Sequence, residues 1–135
     1  MKDKAFIDTN VLVYLYSEDE TQKQRRAEVV IEEYECITST QVLNEFSNVC
    51  LKKLRMHPEI ISRSIDEITD VCFITLIDTN LIKSALYLQA KYKYSYYDCL
   101  VIASALLQNC RYLLTEDLSN QQVIENNLTI FNIFA

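Results

Sequence analysis

Apolar residues follow two patterns along this chain. Short, nearly continuous apolar runs predict buried strands, and runs with the three- and four-residue spacing of one helix face predict amphipathic helices. The strands are predicted at 4–7, 36–38, 73–77, 111–115 and 128–134, and the helices at 11–16, 18–34, 40–54, 58–71, 81–93 and 99–108. Strands that alternate with helices predict a three-layer α/β/α sandwich around a mainly parallel sheet, here one domain over residues 1–135.

Local signals indicate where some helices begin and where turns fall. Thr38 lies three residues before Gln41, a capping-box spacing that predicts the start of the third helix, and Pro58 suits the first turn of the fourth. The chain contains no glycine. Turns that need a left-handed residue are therefore expected to use asparagine, which tolerates that conformation best. The candidates are Asn109, Asn120, Asn126 and Asn127.

The first strand ends abruptly in the tripeptide Asp8-Thr9-Asn10. In an open α/β sheet, the carboxyl ends of the strands meet helix amino termini at one edge, and ligands bind in the crevice there. The sequence therefore places the carboxylate of Asp8 where a site is expected.

Three further acids occupy positions from which they could reach the same crevice. Glu45 lies on the border of the apolar stripe of its helix, Asp98 begins the most apolar helix, and Asp117 follows the fourth strand. Each has an ordinary structural explanation, as a helix cap, a turn residue or the partner of a lysine. Together they indicate a site, because acids gathered at the ends of buried strands repel one another and need a cation.

The overall charge and composition narrow the classes of function. A formal net charge of −6 argues against a surface that grips phosphates through basic side chains alone. The absence of glycine excludes Walker loops and Gly-x-Gly dinucleotide motifs. No apolar run approaches the ~20 residues of a membrane span, and no leader peptide is recognisable, so we expect a soluble, cytoplasmic protein.

The five cysteines do not form a recognisable metal or disulfide pattern. They are odd in number, widely spaced and without a Cys-x-x-Cys pair, and each lies in or beside apolar sequence: Cys36, Cys50, Cys72, Cys99 and Cys110. We expect reduced core residues rather than zinc ligands or disulfides. The single histidine, His57, lies in a loop and is expected at the surface.

The chemistry that suits the four acids is that of a hard divalent cation. Magnesium and manganese prefer oxygen ligands, retain several waters and are commonly bound by a few carboxylates together with substrate phosphate. One or two such ions can activate a water molecule and neutralise charge on a phosphodiester. This chemistry requires neither a histidine nor a nucleophilic side chain.

Four segments, in this order, resemble the motifs of PIN-domain ribonucleases, and specifically of the VapC-type toxins of bacterial toxin–antitoxin pairs. They are Phe6-Ile7-Asp8-Thr9-Asn10, Asn44-Glu45-Phe46, the segment 96–106 that begins Tyr96-Tyr97-Asp98, and Leu113-Leu114-Thr115-Glu116-Asp117-Leu118. The resemblance extends over the whole chain. The chain departs from the family pattern in using asparagine where glycine is usual and in ending Asn132-Ile133-Phe134 rather than Asn-Pro-Phe. Neither departure touches the acids.

The resemblance implies a magnesium- or manganese-dependent endoribonuclease that acts on an RNA phosphodiester. Its metal-binding and catalytic residues would be Asp8, Glu45, Asp98 and Asp117. Thr9 and Thr115 would be supporting polar groups, and Glu116 ranks behind Asp117 because the family places its acid two residues after the threonine. The resemblance also implies a homodimer and a cognate antitoxin that blocks the acidic pocket with an arginine-bearing segment.

Two further groups of residues have competing interpretations. Asp78-Thr79-Asn80 repeats the opening tripeptide, but its strand lies at the sheet edge in the family, so Asp78 is expected to cap a helix. Lys52, Lys53 and Arg55 follow the Glu45 helix and could contact RNA phosphates, but we favour the interpretation that they form a solvated helix end.

Two other classes of function compete with the nuclease hypothesis. A noncatalytic PIN-like module would bind RNA or protein without metal-dependent cleavage. A receiver-type phosphoacceptor domain shares the strand–helix alternation and an acidic pocket. Such a domain normally needs adjacent acids after its first strand, where this chain has Asp8 alone. We therefore favour the nuclease.

Overall fold

The structure, a computed structural model, describes residues 1–135 and contains six strands and six helices. In chain order they are β1 (Lys4–Ile7), α1 (Thr9–Leu15), α2 (Thr21–Glu33), β2 (Glu35–Ser39), α3 (Thr40–Lys52), α4 (Pro58–Val71), β3 (Cys72–Thr75), α5 (Thr79–Tyr92), α6 (Tyr96–Leu107), β4 (Tyr112–Leu114), β5 (Val123–Ile124) and β6 (Leu128–Phe131).

All six strands form one sheet in the order β3-β2-β1-β4-β6-β5. Every neighbouring pair is parallel except β5 with β6. Strand β1 lies in the interior, with Phe6 opposite Ile37 of β2 on one side and Leu113 of β4 on the other. The predicted α/β/α sandwich with a mainly parallel sheet is confirmed, and the carboxyl ends of β1, β2 and β4 share one edge.

The core consists of 32 buried hydrophobic residues from both sides of the sheet. Helix α6 contributes an unbroken buried run from Cys99 to Ala105, which explains why its sequence is apolar on nearly every side. No helix combines the length and apolar character needed to cross a bilayer.

Helices α1, α2, α5 and α6 begin two or three residues from their predicted starts, and α3 begins as predicted but with a different cap. Thr38 is buried in β2 and its hydroxyl donates to the Ile7 carbonyl, so it does not cap α3. Ser39 does so instead, because its hydroxyl accepts from the Val42 N–H at 3.2 Å. Helix α6 begins at Tyr96 rather than Cys99, since the Ser95 hydroxyl accepts a hydrogen bond in its first turn. Pro58 lies in the first turn of α4, as predicted, and the exposed His57 caps that helix.

Six non-glycine residues adopt left-handed backbone, with φ between 50° and 70°: Arg55, Lys93, Asn109, Gln121, Glu125 and Asn126. Asn109 and Asn126 confirm the prediction that asparagine replaces glycine in such turns. Asn120 and Asn127 do not adopt this conformation, so the prediction was wrong for them. Asn120 instead uses its side-chain oxygen to accept from the Asn132 N–H at 2.8 Å.

Candidate active site

Asp8 lies where the central strand β1 ends and α1 begins. Its carboxylate accepts hydrogen bonds from the Thr9 N–H at 2.7 Å and from the Thr115 hydroxyl at 2.9 Å. Burial raises the pKa of Asp8 from 3.8 to about 6; the two hydrogen bonds lower it, and the negative charges of Glu45 and Asp98 raise it further. Asp8 is therefore a buried acid that lies within electrostatic range of two others.

Glu45 projects from α3 and is held at both carboxylate oxygens. The Thr9 hydroxyl donates to Oε2 and the Gln41 amide donates to Oε1, each at 2.9 Å. Gln41 is one helical turn before Glu45, so α3 itself provides this second donor. The orientation of the Glu45 carboxylate is thus fixed by α1 on one side and by its own helix on the other.

Asp98 lies in the first turn of α6, where its N–H donates to the Ser95 hydroxyl at 3.2 Å. The residue is half-buried. Burial raises the pKa of Asp98, hydrogen bonding with Ser95 lowers it, and the negative charges of Asp117 and Glu45 raise it. Asp98 is therefore coupled electrostatically to the acids on either side of it.

Asp117 belongs to a short loop, Thr115 to Asp117, that follows β4 and is held by Asn10. The Asn10 amide nitrogen donates to Asp117 at 2.9 Å and to the Thr115 hydroxyl at 3.2 Å, and its oxygen accepts from the Glu116 N–H at 3.3 Å. The Asp117 N–H also donates to the Thr115 hydroxyl. One side chain at the start of α1 therefore sets the position of the entire loop.

Glu116 is engaged by different partners from its neighbour. Its carboxylate forms an ion pair with Lys23 of α2 at 3.1 Å and accepts a hydrogen bond from the Tyr14 hydroxyl. Lys23 also donates to the Tyr14 hydroxyl. A carboxylate already paired with a lysine has little need of a metal ion, which agrees with the lower rank given to Glu116 than to Asp117.

The remaining candidates lie at the periphery. Lys52, Lys53 and Arg55 are all exposed at the carboxyl end of α3. Of these only Lys53 lines the large groove of about 1080 Å³ that opens beside the acids. Asp78 is exposed and its carboxylate accepts from the Leu81 N–H at 2.9 Å, as expected for a helix cap.

The groove is lined by both acidic and apolar side chains. The acids are Glu45, Glu116 and Asp117, together with Glu18, Asp19 and Glu20 of the loop after α1. Val13, Leu15, Val49, Leu54 and Ile60 supply apolar surface. Such a surface suits a partner that carries both basic and apolar side chains.

The donor set fits a hard divalent cation better than any other ion. The available groups are carboxylate, hydroxyl and amide oxygens, and no lysine, arginine or histidine forms an ion pair with Asp8, Glu45, Asp98 or Asp117. No three acidic, histidine or cysteine side chains lie close enough to hold one ion by themselves. Magnesium nevertheless requires only one or two carboxylates, because it keeps several waters.

Three residues of this site were not singled out as functional in the sequence: Asn10, Gln41 and Ser95. Gln41 lies four positions before Glu45 and Ser95 three before Asp98, at spacings that allow a hydrogen bond within a helix or at its cap, whereas Asn10 follows Asp8 by two. The spacing of Ser95 and Asp98, and that of Gln41 and Glu45, were detectable signals. The contacts of Asn10 join residues more than a hundred positions apart, so local spacing could not reveal them.

Structural comparison identifies similar folds among toxins. A toxin–antitoxin complex from Klebsiella pneumoniae aligns with a TM-score of 0.72 and 19% identity over 96% of this chain and 97% of that chain. VapC20 of Mycobacterium tuberculosis, a toxin that cleaves the sarcin–ricin loop, aligns with a TM-score of 0.67 and 16% identity over 81% of this chain and 86% of that chain. VapBC2 of Rickettsia felis, bound to a promoter DNA fragment, aligns with a TM-score of 0.69 and 17% identity over 96% of this chain and 99% of that chain.

Sequence comparison gives the family directly. No curated protein matches the chain in a sequence search. The model of the PIN domain, in contrast, matches residues 5–124, well over half of the sequence. With the fold in agreement, the chain belongs to the PIN domain family.

Proposed function

We propose that this protein is a cytoplasmic, magnesium- or manganese-dependent endoribonuclease, the toxin of a type II toxin–antitoxin system. The observation that carries the proposal is a set of carboxylates joined through shared partners: Thr9 contacts both Asp8 and Glu45, and Thr115 and Asn10 connect Asp8 with Asp117. No basic side chain forms an ion pair with these acids. Membership of the PIN domain family supports it, as does the fold shared with a toxin described as cleaving an RNA loop.

The four acids Asp8, Glu45, Asp98 and Asp117 would hold the metal ions. Bound there, one or two divalent cations would activate a water molecule and neutralise charge on the scissile phosphodiester. Thr9 and Gln41 hold Glu45, Thr115 holds Asp8, and Asn10 holds Asp117. These hydrogen bonds reduce the reorganisation needed when the acids bind a cation.

The acidic groove would receive the antitoxin. Its lining includes six carboxylates together with apolar side chains, so the complementary segment has arginine or lysine side chains among apolar ones. Co-expression with the protein encoded beside the toxin is expected to restore growth and to yield a complex. Reversing charge in the groove with Asp19→Lys and Glu20→Lys is expected to weaken that complex without loss of cleavage, since neither residue contacts the four acids.

A homodimer is the assembly we propose. Ile82 and Leu86 lie one turn apart on α5 and are exposed, as is Tyr87 beside them. Sedimentation of the purified protein is expected to give twice the monomer mass, and Leu86→Asp is expected to shift it to the monomer. A monomeric wild type at cellular concentrations would contradict this part of the proposal.

The decisive experiment is cleavage of total RNA by purified, antitoxin-free protein with magnesium, with manganese and with a chelator. Wild type is compared with Asp98→Asn and with the matched control Asp78→Asn. Discrete products that require metal, persist in Asp78→Asn and are absent from Asp98→Asn would support the nuclease. Mapping their new 5′ ends would identify the target.

The same experiment distinguishes the alternative. RNA that is bound but left intact by folded wild type with either metal would favour a noncatalytic RNA-binding module. A triple variant of Lys52, Lys53 and Arg55 to alanine tests whether that helix end contacts RNA. If it does, the KM for RNA rises while kcat changes little.

A further inference from the structure

Two cysteines face each other across neighbouring strands. Cys36 of β2 and Cys72 of β3 are register partners, so their side chains project from the same face of the sheet. Neighbouring strands lie about 4.8 Å apart, and the Cα atoms of disulfide-linked cysteines lie roughly 4.4–6.8 Å apart. The backbone therefore already holds the two residues at a separation that a disulfide can span.

The sulfur atoms are arranged for a directed reaction. The Cys36 thiol donates to the Tyr34 carbonyl at 3.4 Å and to the Ile31 carbonyl at 3.5 Å. The neighbouring Cys72 thiol lowers the pKa of Cys36. Lys2 lines the same groove as Cys36, and its positive charge favours the thiolate, which is the reactive form. We therefore assign Cys36 as the attacking sulfur and Cys72 as the resolving one.

The pair is reachable by a small oxidant although both side chains are largely buried. Both cysteines line a surface groove of about 690 Å³, whose walls include Lys2, Asp70 and Phe73. A hydrogen peroxide molecule is small enough to enter this groove and reach the two thiols.

The other three cysteines do not have this arrangement. Cys50 lies on α3 and Cys99 on α6, while Cys110 precedes β4. Strand β1 lies between β2 and β4 and so separates Cys110 from Cys36. All five thiols are free in the structure, and only Cys36 and Cys72 are register partners.

We propose that Cys36 and Cys72 are a site of reversible oxidation, at which a peroxide converts the two thiols to a disulfide that links edge strand β3 to β2. The Cys36 sulfur attacks one peroxide oxygen, the O–O bond breaks, and a sulfenic acid and one water form. The Cys72 sulfur then attacks the Cys36 sulfur, and hydroxide leaves with the Cys72 proton as a second water. Two sulfur atoms are oxidised and one peroxide is reduced, and a thiol reductant reverses the change.

The disulfide would covalently link the edge strand β3 to its neighbour β2. Strand β3 has a neighbour on one side only, and Phe73 on it is 60% exposed. A disulfide between Cys36 and Cys72 would lower the conformational entropy of the unfolded chain and so stabilise the folded protein. The expected rise in Tm is roughly 5–15 °C. The pair lies at the amino ends of the strands, whereas the acids lie at the carboxyl ends, so this proposal does not depend on the nuclease.

The test treats the folded, full-length protein with graded hydrogen peroxide, then denatures it and blocks free thiols with an alkylating agent. Expected results are a mass loss of two hydrogens, three alkylated cysteines, a peptide pair joined through Cys36 and Cys72, and a higher Tm that a thiol reductant reverses. Cys36→Ser and Cys72→Ser are expected to lose the cross-link and the Tm shift, and the control Cys50→Ser to keep both.

Three outcomes would overturn the proposal. They are alkylation of all five cysteines in oxidised wild type, oxidation of Cys36 to sulfinic acid without a cross-link, and a disulfide that joins any other pair. Because the peptide map of wild type decides among them, the test holds even if a serine variant fails to fold.

Discussion

The tripeptide Asp-Thr-Asn occurs twice in this chain, at 8–10 and at 78–80, and each copy connects a strand to a helix. Both aspartates cap their helix, since Asp8 accepts from the Thr9 N–H and Asp78 from the Leu81 N–H. Asp8 is nonetheless buried, with 6% exposure, and Asp78 is exposed. The two copies therefore share their sequence and local role but differ in their surroundings.

The difference follows from the strand that precedes each copy. Strand β1 lies inside the sheet between β2 and β4, whereas β3 forms its edge. The inner position brings Glu45, Asp98 and Thr115 toward Asp8, and the edge position leaves Asp78 only its helix. The chemistry of such a motif is thus set by its place in the sheet, and the comparison can be tested residue by residue.

The largest expected effect is on catalysis. Asp8→Asn should reduce RNA cleavage by about 10³-fold or more, equivalent to about 4 kcal/mol of transition-state stabilisation, whereas Asp78→Asn should change it less than about twofold. Initial rates on one RNA substrate at saturating metal provide the measurement, with circular dichroism to confirm folding. Equal losses in both variants would refute the distinction.

The asparagines of the two copies should also differ. Asn10→Ala removes three hydrogen bonds to the loop of Thr115 to Asp117, so cleavage should fall about 10–100-fold. The exposed Asn80 is the matched control, and Asn80→Ala should have no measurable effect. A manganese titration of each variant separates the two roles, because a displaced Asp117 weakens metal affinity and a merely less stable fold does not.

The raised pKa of Asp8 predicts a pH-dependent metal affinity. Since its pKa is about 6, a proton competes with the cation below that pH, and manganese should bind about tenfold more weakly at pH 5 than at pH 7. Calorimetric titration at several pH values measures this slope. Asp78→Asn should preserve the slope, and a pH-independent affinity in wild type would argue against Asp8 as a ligand.

The smallest effect concerns stability, and its sign differs between the two copies. Because the folded pKa of Asp8 lies above 3.8, the stability that its proton confers is complete below about pH 4 and is lost as the pH rises through 6. Asp8→Asn should therefore stabilise the metal-free protein by about 1–2 kcal/mol at pH 7.5 and have little effect at pH 4. Asp78→Ala should destabilise it by about 1 kcal/mol at pH 7.5 through loss of a cap. Urea unfolding at both pH values tests these signs.

Much of the fold was predictable because its signals are local. The order of helices and strands, the parallel sheet and the buried α6 follow from apolar spacing alone. Strand β5 was missed, because Val123 and Ile124 are too few to show any alternation and pair only with β6. The left-handed backbone of Gln121 and Glu125 was missed because tertiary contacts override the intrinsic preference of those side chains.

The acids of the candidate site could be proposed from the sequence, but the pairing of the side chains that hydrogen-bond to them could not. Asp8, Asp98 and Asp117 are each adjacent to a recognisable strand end or helix start, and Glu45 borders the apolar stripe of its helix, so all four could be proposed from the sequence. The pairing of Thr9 with Glu45, and that of Asn10 with Asp117, depend on how α1 faces α3 and the loop after β4. Those orientations are products of packing, which no short window of sequence contains.

The hydrogen bond between Thr115 and Asp8 spans 107 residues of sequence. Asp8 is synthesised well before Asp117 and its loop. Contacts of such separation form late and slowly in folding. A nascent or proteolytically clipped chain that lacks β4 therefore has no complete acid cluster, and whatever activity resides there is withheld until the sheet is assembled.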